Sequence, residues 1–255
     1  MTAAAGVVGM GVVGTALFNA LGTGGYGVAG VDADSTGAEW RAVAHADVVF
    51  VCVDTPPAPQ GTLSTINVFH ACSTIRRYAP LATIALRSTV PPGTTAHLAS
   101  LMRGPFAYVP EFLVERDPVG SMRNPDRHVV GVDELRPVLP VFHALRAIAP
   151  AAPIVVRSTV EAELAKLCSN AMLAAKVAMA NQLRDVCADY AVSWDAVRAV
   201  VGLDRRIGPD HLDVRQPRGF GGSCLPKDLD GLIAAAEGDV PLLKAIRDYN
   251  ERLRS

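Results

Sequence analysis

Residues 218–228 hold the side chains best suited to covalent chemistry in this sequence. Glycines crowd this segment before Cys224, and Pro226 follows two positions later. Because proline is favoured in a first helical turn, the pattern predicts a flexible loop that ends at a helix starting near Cys224. Free N–H groups and the helix dipole stabilise a thiolate at such a position. Asp228 lies four residues further on, on the same helical face, and Lys227 adds a positive charge.

A thiol, a carboxylate and an ammonium group on one helical turn are typical of a covalent-catalysis site. The alternative is that Cys224 is an ordinary buried cysteine, which is the commoner role of an unpaired thiol. The glycines, the proline and the two charges favour the catalytic interpretation.

A second group of residues, near the N-terminus, indicates a dinucleotide site. An apolar strand is followed by the G-x-G-x-x-G sequence of residues 9–14, a helix, a second strand and Asp32. Gly9 allows a tight turn, Gly11 lets the backbone approach a pyrophosphate, and Gly14 lets the helix pack on the sheet. The carboxylate would accept hydrogen bonds from ribose hydroxyls and repel a 2′-phosphate, which favours NAD over NADP. The residues predicted to contact the cofactor are Gly9, Met10, Gly11, Val12, Val13, Gly14 and Asp32.

Two further predicted strands, residues 47–53 and 83–86, are each followed closely by a threonine. Ligands of doubly wound sheets bind beyond the carboxyl ends of the strands, so Thr55 and Thr89 are placed to meet cofactor or substrate. The alternative is that both threonines cap the helices that follow. Both roles are compatible, and Thr89 is the stronger functional candidate.

Glu111 and Glu115 follow another short strand. Glutamates four residues apart usually mark a solvated helix face, but next to aromatic and apolar neighbours at the same sheet edge they could serve the site. The last strands are predicted at residues 129–132 and 154–156, with a helix near 134–147 between them.

After Ser158 the sequence predicts helices only. Residues 161–190 contain no proline or glycine and are rich in alanine, leucine and methionine, which predicts one long helix. Lys166 and Asn170 lie one turn apart on it, and Asn181 continues the stripe. A surface helix would simply solvate the lysine, but such an alanine-rich helix is expected to be buried between domains or subunits. Further helices are predicted at residues 195–201, 224–236 and 240–254.

Composition excludes several classes of protein. Half of the 255 residues are hydrophobic and 19% are charged, as in a compact globular protein. The net charge of -1 gives no reason to expect nucleic acid or a membrane as partner. We expect no targeting segment and no membrane span, because the N-terminus leads straight into the glycine motif and no apolar run is long enough. A cytoplasmic location is expected.

Five irregularly spaced cysteines without a C-x-x-C pair argue against a disulfide framework and against a zinc site. No metal is therefore expected. Cys52, Cys72, Cys168 and Cys187 are predicted to pack in the core.

These motifs resemble the nucleotide-sugar dehydrogenase family, which includes UDP-glucose 6-dehydrogenase and GDP-mannose dehydrogenase. Similar stretches run in family order from Gly9 to Asn250, and GFGGSCLPKD is the most diagnostic. The others are ADVVFVCVDTPP, RSTVPPGTT, VPEFLVE, NPDRHVVG, EAELAKLCSNAMLAAKVAMAN and RIGP. The resemblance implies an α/β fold, with a doubly wound Rossmann-type NAD domain at residues 1–155. An all-helical domain with a long central helix, residues 156–255, would follow and form a homodimer.

The implied activity is NAD-dependent oxidation of a sugar primary alcohol to the uronic acid, with two NAD+ used in succession. Cys224 would attack the aldehyde formed by the first hydride transfer, and the second transfer would leave a thioester. Lys166 and Asn170 would hold the C6 oxygen. Glu111 and Asp228 would assist water in hydrolysing the thioester.

Further roles follow from the same resemblance. Thr89 would position a water, while Glu115 and Lys227 match positions at the cofactor. Arg206, in RIGP, matches an arginine that reaches the partner subunit's substrate. The other matches to sugar-binding positions are Phe112, Leu113, Lys166, Asn170, Phe220, Gly221 and Gly222.

The sequence also departs from the family pattern. Family members usually continue into a second doubly wound domain that grips the nucleotide, whereas this sequence ends near Arg254, so a shortened form is expected. The segment between Asp32 and Asp47 is short, Asp54 replaces a small residue and Gln182 replaces a glutamate. The substrate is then either a nucleotide sugar held through the dimer, or a nucleoside or glycoside.

Two competing interpretations stay open. A 3-hydroxyacid or 6-phosphogluconate type of dehydrogenase would share the glycine motif, the helical domain and the lysine–asparagine pair, but would not need the cysteine loop. A catalytically idle NAD-binding subunit would explain a missing third domain.

Overall fold

The computed structural model describes residues 4–114, 116–133 and 138–255. Their contacts divide the chain into two units. The sheet unit comprises Met1–Pro56 and Leu63–Lys166, and the helical unit comprises Pro57–Thr62 and Leu167–Ser255. The domain boundary near residue 155 stays a prediction.

Seven strands form one sheet within the described part of the sheet unit. They are β1 (Ala4–Val8), β2 (Gly27–Val31), β3 (Val48–Val51), β4 (Thr83–Leu86), β5 (Phe106–Tyr108), β6 (His128–Gly131) and β7 (Ile154–Arg157). Their order across the sheet is β2-β1-β3-β4-β5-β6-β7. Every neighbouring pair is parallel except β5 and β6, which run antiparallel.

The helices are numbered along the chain. They are α1 (Val12–Thr23), α2 (Gly37–Trp40), α3 (Ile66–Tyr78), α4 (Thr94–Met102), α5 (Pro118–Arg123), α6 (Val138–Ile148), α7 (Thr159–Asp189), α8 (Trp194–Val201), α9 (Leu225–Ala235) and α10 (Pro241–Arg254). Short 3-10 helices cover Arg41–Val43 and Pro59–Gly61.

Strand β3 shows why the apolar runs become parallel strands. All four of its residues are buried, because apolar clusters lie on both faces of the sheet. Val48 and Phe50 pack with α1 and α6, while Val49 and Val51 pack with α3 and α4. Continuous apolar runs are typical of strands covered on both sides. The predicted doubly wound α/β fold is thereby confirmed.

The helical unit is built on the part of α7 from Leu167 onwards, which packs through small side chains. Ala171, Ala174 and Ala178 pack with Phe220 and Leu229 in one apolar cluster. A second cluster joins α7 to the helix that follows, through side chains of Ala180, Cys187, Trp194 and Leu212. The long helix predicted at residues 161–190 is confirmed within two residues at each end.

The other predicted elements agree with the structure to different degrees. The three later helices agree with prediction within one or two residues. The strand predicted at 47–53 is shorter. The helix predicted near 134–147 is described from Val138, and residues 134–137 lie outside the described part of the chain.

The prediction that Cys168 packs in the core is wrong, because this residue is exposed. Leu164 and Met172 lie one turn away on either side of it and are also exposed, at 37% and 66%. Residues four apart share a helical face, so Cys168 lies on the outward face of α7. Cys72 and Cys187 are buried as predicted, and Cys52 is partly buried against the core. Burial raises the pKa of the Cys52 thiol to about 11 and that of the Cys72 thiol to about 12.

Candidate active site

The glycine motif forms the turn between β1 and α1. Gly9 has φ +93, and a Cβ there would lie 2.8 Å from the main chain of Cys52. A Cβ on Gly14 would overlap the carbonyl oxygen of Gly9, so neither position accepts a side chain. A Cβ on Gly11 would meet no protein atom within 4 Å. The space beside Gly11 is therefore open to a ligand, as a bound pyrophosphate requires.

Asp32 lies beside this turn, as predicted. Its Oδ2 accepts a hydrogen bond from the Met10 N–H at 3.2 Å, and Gly9 N–H donates to the Val31 carbonyl at 2.9 Å. The carboxylate thus sits at the end of β2 against the glycine turn. Val12, at the start of α1, is 63% exposed. This arrangement fits a dinucleotide with its phosphates at the helix start.

The loops that follow β3 and β4 are tied together at the same sheet edge. Thr55, 3% exposed, donates from Oγ1 to the Thr89 carbonyl at 2.7 Å. Ser88 donates from Oγ to the Val53 carbonyl at 2.6 Å. The alternative role as helix caps is wrong for both threonines, because α3 is preceded by Thr65 and α4 by Gly93. Contact of Thr55 and Thr89 with a cofactor stays a prediction.

Glu111 is paired with a buried cation. It forms an ion pair with Arg87, which is 5% exposed, and its Oε1 accepts the Phe112 N–H at 2.7 Å. Both side chains line a cavity of about 170 Å³ that His128 also lines. Burial and the charges of Arg87 and Arg146 lower the pKa of His128 to about 4, so it is neutral near pH 7. Arg87 is therefore the cation that pairs with Glu111 in this cavity.

No role was predicted for Arg87, although its position after a predicted strand was a usable signal. It is the first residue of RSTVPPGTT, immediately after the buried strand β4. A cation at the end of an apolar strand in a doubly wound sheet could have been read as a partner for one of the predicted carboxylates. Which carboxylate it binds could not have been read from spacing.

Lys166 and Phe112, predicted for catalysis and for sugar binding, lie together in the sheet unit. The Lys166 Nζ is 5.4 Å from the centroid of the Phe112 ring, and the Arg127 Cζ is 4.4 Å from it. Two cations over one ring hold it by cation–π attraction. Leu113, the next residue, packs against the neighbouring core. Glu115 lies outside the described residues.

Within the helical unit, α9 begins as predicted. Cys224 is its N-cap residue and is exposed, with its Sγ 3.5 Å from the Ser223 Oγ. Pro226 occupies the first turn. The Asp228 N–H donates to the Cys224 carbonyl at 2.9 Å, which is the first helical hydrogen bond of the turn.

Asp228 is the centre of a buried polar group. It is 1% exposed, and its two oxygens accept from the Lys227 Nζ and the Asn170 Nδ2, both at 2.5 Å. A buried carboxylate is stable only when its oxygens are paired in this way. The structure thus brings together three predicted site residues, two from α9 and one from α7. Lys227 is a partner of Asp228 here, and its predicted contact with the cofactor stays a prediction.

The glycine loop before Cys224 is fixed by two helices. Asn250 of α10 accepts the Phe220 N–H at 2.7 Å and donates to the Phe220 carbonyl at 3.0 Å. Arg218 donates to Asp185 of α7 at 2.7 Å. Gly222 has φ +77, a conformation that favours glycine. Sequence reasoning missed these anchors, although a lone asparagine on an amphipathic helix was a visible signal.

Arg206 points outward in the helical unit. Its side chain is 88% exposed and pairs with Asp204 at 2.6 Å. Contact with a partner subunit's substrate stays a prediction for this residue.

In the ranges that the structure describes, no helix combines the length and the hydrophobicity needed to cross a bilayer. Within the same ranges, no three His, Cys, Asp or Glu side chains are grouped so that they could hold a metal ion.

The glycine turn, the doubly wound sheet and the attached helices define the class: an α/β dinucleotide-binding protein with a helical unit. The chain belongs to the UDP-glucose/GDP-mannose dehydrogenase family. Residues 36–148 match the sequence model of that family's NAD binding domain, and residues 160–252 match that of its central domain. The predicted family and the predicted NAD-binding domain are confirmed.

Individual relatives agree. The chain is 33% identical over 219 residues to a UDP-glucose 6-dehydrogenase of Rickettsia felis, covering 82% of this chain and 48% of the relative. It is 31% identical over 222 residues to the UDP-glucose 6-dehydrogenase YwqF of Bacillus subtilis, covering 82% of this chain and 50% of the relative. The chain therefore spans about half the length of the curated relatives it matches.

Solved structures show the same likeness. A UDP-glucose dehydrogenase from Pyrobaculum islandicum superposes with a TM-score of 0.84 at 30% identity, covering 100% of this chain and 68% of that one. The 3-hydroxyisobutyrate dehydrogenase of Mycobacterium tuberculosis superposes with a TM-score of 0.73 at 19% identity, covering 99% of this chain and 94% of that one. The second comparison shows a shared fold.

Proposed function

We propose that this protein oxidises the primary alcohol of a sugar to the carboxylate, through a thioester on Cys224. The observation that carries the proposal is the start of α9, where an exposed thiol caps the helix one turn before the buried group of Asp228, Lys227 and Asn170. Membership of a dehydrogenase family supports it.

The chemistry is a four-electron oxidation in two stages. A bound NAD+ would supply a hydride acceptor for the alcohol carbon, and a second NAD+ would supply one for the thiohemiacetal that the aldehyde forms with Cys224. The Cys224 sulfur adds to the aldehyde carbon between these transfers. Water then attacks the thioester carbonyl, and the C–S bond breaks to release the acid and restore the thiol. Overall, one alcohol, one water and two NAD+ give one carboxylate, two NADH and three protons.

Each predicted catalytic group has a place in this scheme. Lys166 and Asn170 stabilise the negative charge that develops on the substrate oxygen. Glu111, paired with Arg87, and Asp228, paired with Lys227, orient the hydrolytic water. Thr89 holds a water at the end of β4.

The proposed substrate is a nucleotide sugar such as UDP-glucose, the sugar named for the relatives from Rickettsia felis and Bacillus subtilis. Phe112, Leu113 and the segment from Phe220 to Gly222 would bind the sugar. Free nucleosides and simple glycosides are the other candidates.

A screen for NADH production tests the proposal. Nucleotide sugars, nucleosides and simple glycosides would each be incubated with the protein and NAD+, and both NADH and acid would be counted. We expect UDP-glucose to turn over with a KM between about 1 μM and 1 mM, and two NADH per acid. One NADH per product would favour a hydroxyacid-type dehydrogenase. Intact NAD binding with no turnover of any alcohol would favour an idle subunit.

We also propose a homodimer built on α7. Apolar side chains along its outward face are exposed, with Met172 at 66%, Met179 at 59%, Val186 at 46% and Tyr190 at 77%. Residues at this spacing form one stripe, and an exposed apolar stripe is typical of an interface. Met179→Glu is expected to yield monomers by light scattering, while Glu237→Gln, on an exposed loop, leaves the mass unchanged. A monomeric wild-type protein at micromolar concentration would contradict the proposal.

A cytoplasmic location is proposed as well. All five cysteines are free thiols in the structure, as expected in a reducing compartment. Recovery of the protein outside the cytoplasmic fraction of its cell would contradict this.

A further inference from the structure

Glu163 is a fully buried carboxylate for which the proposed chemistry has no use. It lies on α7 and is 0% exposed. Its Oε2 accepts the Gly93 N–H at 2.6 Å, and its Oε1 accepts the Thr95 N–H at 2.8 Å and the Thr95 hydroxyl at 2.6 Å. Three hydrogen bonds offset the cost of burying the charge.

The groups that Glu163 binds are the first N–H groups of α4. A helix start leaves such groups without helical partners, and a nearby side chain usually accepts from them. Here the N-cap residue is Gly93, which has no side chain and has φ +88. The acceptor comes instead from a helix 70 positions later in the chain. A carboxylate suits the positive end of the α4 dipole.

The same contact joins the elements that carry two predicted catalytic residues. Thr89 belongs to the segment that joins β4 to α4, and Thr55 donates a hydrogen bond to its carbonyl. Lys166 lies three residues after Glu163 on α7, with its Nζ over the Phe112 ring. Fixing α4 to this turn of α7 therefore fixes Thr89 relative to Lys166.

Capping the start of α4 does not by itself require a residue on another helix. Apolar side chains pack at such a place without the cost of removing a carboxylate from water, and a serine or aspartate at a normal N-cap would satisfy α4 locally. Burial raises the pKa of Glu163, and its hydrogen bonds to Thr95 and Gly93 oppose that shift.

We infer that Glu163 is a positioning residue: by binding the start of α4, it sets the placement of Thr89 against Lys166. The roles of those two residues rest on the proposed function, whereas the link between α4 and α7 does not. Small displacements at a reacting centre lower turnover.

The test compares Glu163→Gln with Glu161→Gln. Glutamine keeps the shape, but its NH₂ group replaces one of the two acceptor oxygens and faces an N–H donor, so the link is weakened on that side. Glu161 is the matched control, because it is exposed and caps α7 itself, accepting from Ser158 N–H at 2.9 Å. Amide exchange at residues 93–95, NAD affinity, kcat and KM would be measured for each variant. We expect exchange at 93–95 to rise and kcat to fall at least about tenfold in Glu163→Gln only, with KM changed less than kcat.

A second variant keeps the test decisive if Glu163→Gln does not fold. Thr95→Val removes one of the three hydrogen bonds and keeps both main-chain bonds, and it should shift exchange and kcat in the same direction by a smaller factor. Faster exchange at 93–95 with an unchanged kcat would overturn the positioning role. If the wild-type protein oxidises no alcohol, faster exchange in Glu163→Gln alone would support the link, and the proposed function alone would fail.

Discussion

Replacement of Cys224 by serine is expected to abolish formation of the acid and to leave NAD binding unchanged. The two side chains are nearly equal in size, and Cys224 is exposed at the helix start, so the fold should not change. A serine hydroxyl is not ionised near pH 7, whereas a thiol readily gives the nucleophilic thiolate. Loss of a catalytic nucleophile lowers turnover by at least about 10³-fold. Acid formed and NADH released would both be measured.

The matched control is Cys168→Ser. Cys168 is also exposed but lies on the outward face of α7, and its replacement should leave turnover within about twofold of wild type. A hydroxyacid dehydrogenase of similar fold would not need Cys224, so near-normal acid formation by Cys224→Ser would contradict the thioester route.

Two alanine substitutions in the glycine turn are expected to abolish or weaken NAD binding for different reasons. A Cβ on Gly11 meets no protein atom within 4 Å, so Gly11→Ala should fold normally and lose at most about 1 kcal/mol as a poorer helix cap. It should nevertheless weaken NAD binding by about tenfold or more, because the methyl group occupies the space of the pyrophosphate. A Cβ on Gly14 overlaps the Gly9 carbonyl, so Gly14→Ala should also destabilise the protein.

Calorimetric titration with NAD and thermal unfolding would separate the two effects. Gly22→Ala is the control, since its Cβ also meets nothing within 4 Å and it lies on α1 beyond the turn. Alanine favours helix by about 0.5–1 kcal/mol over glycine, so this variant should be slightly more stable and bind NAD normally. Normal NAD affinity in Gly11→Ala would show that the cofactor does not approach this turn.

What could be predicted from the sequence was local. The glycine turn, Asp32 and the helix start at Cys224 each depend on neighbours within a few residues or within one strand–helix–strand unit. An unbroken apolar run predicted the buried strand β3. These features follow from backbone conformation, and the residue types that permit it are few.

What could not be predicted depends on partners distant in the chain. Asn250 binds Phe220 from 30 positions away, and Glu163 binds Gly93 from 70. Spacing along one helix says which residues share a face, but not what lies opposite. The prediction for Cys168 was wrong for a related reason. In an alanine-rich helix small residues occur on both faces, so the sequence pattern does not show which face is buried.

Asn250 has a consequence for what this position can tolerate. Its amide supplies a donor and an acceptor side by side. It therefore satisfies both the N–H and the carbonyl group of Phe220, as a neighbouring strand would. Aspartate lacks the donor, leucine lacks both, and glutamine carries the amide one methylene further out. The segment that leads to the thiol therefore depends at Phe220 on an amide side chain of this length on α10.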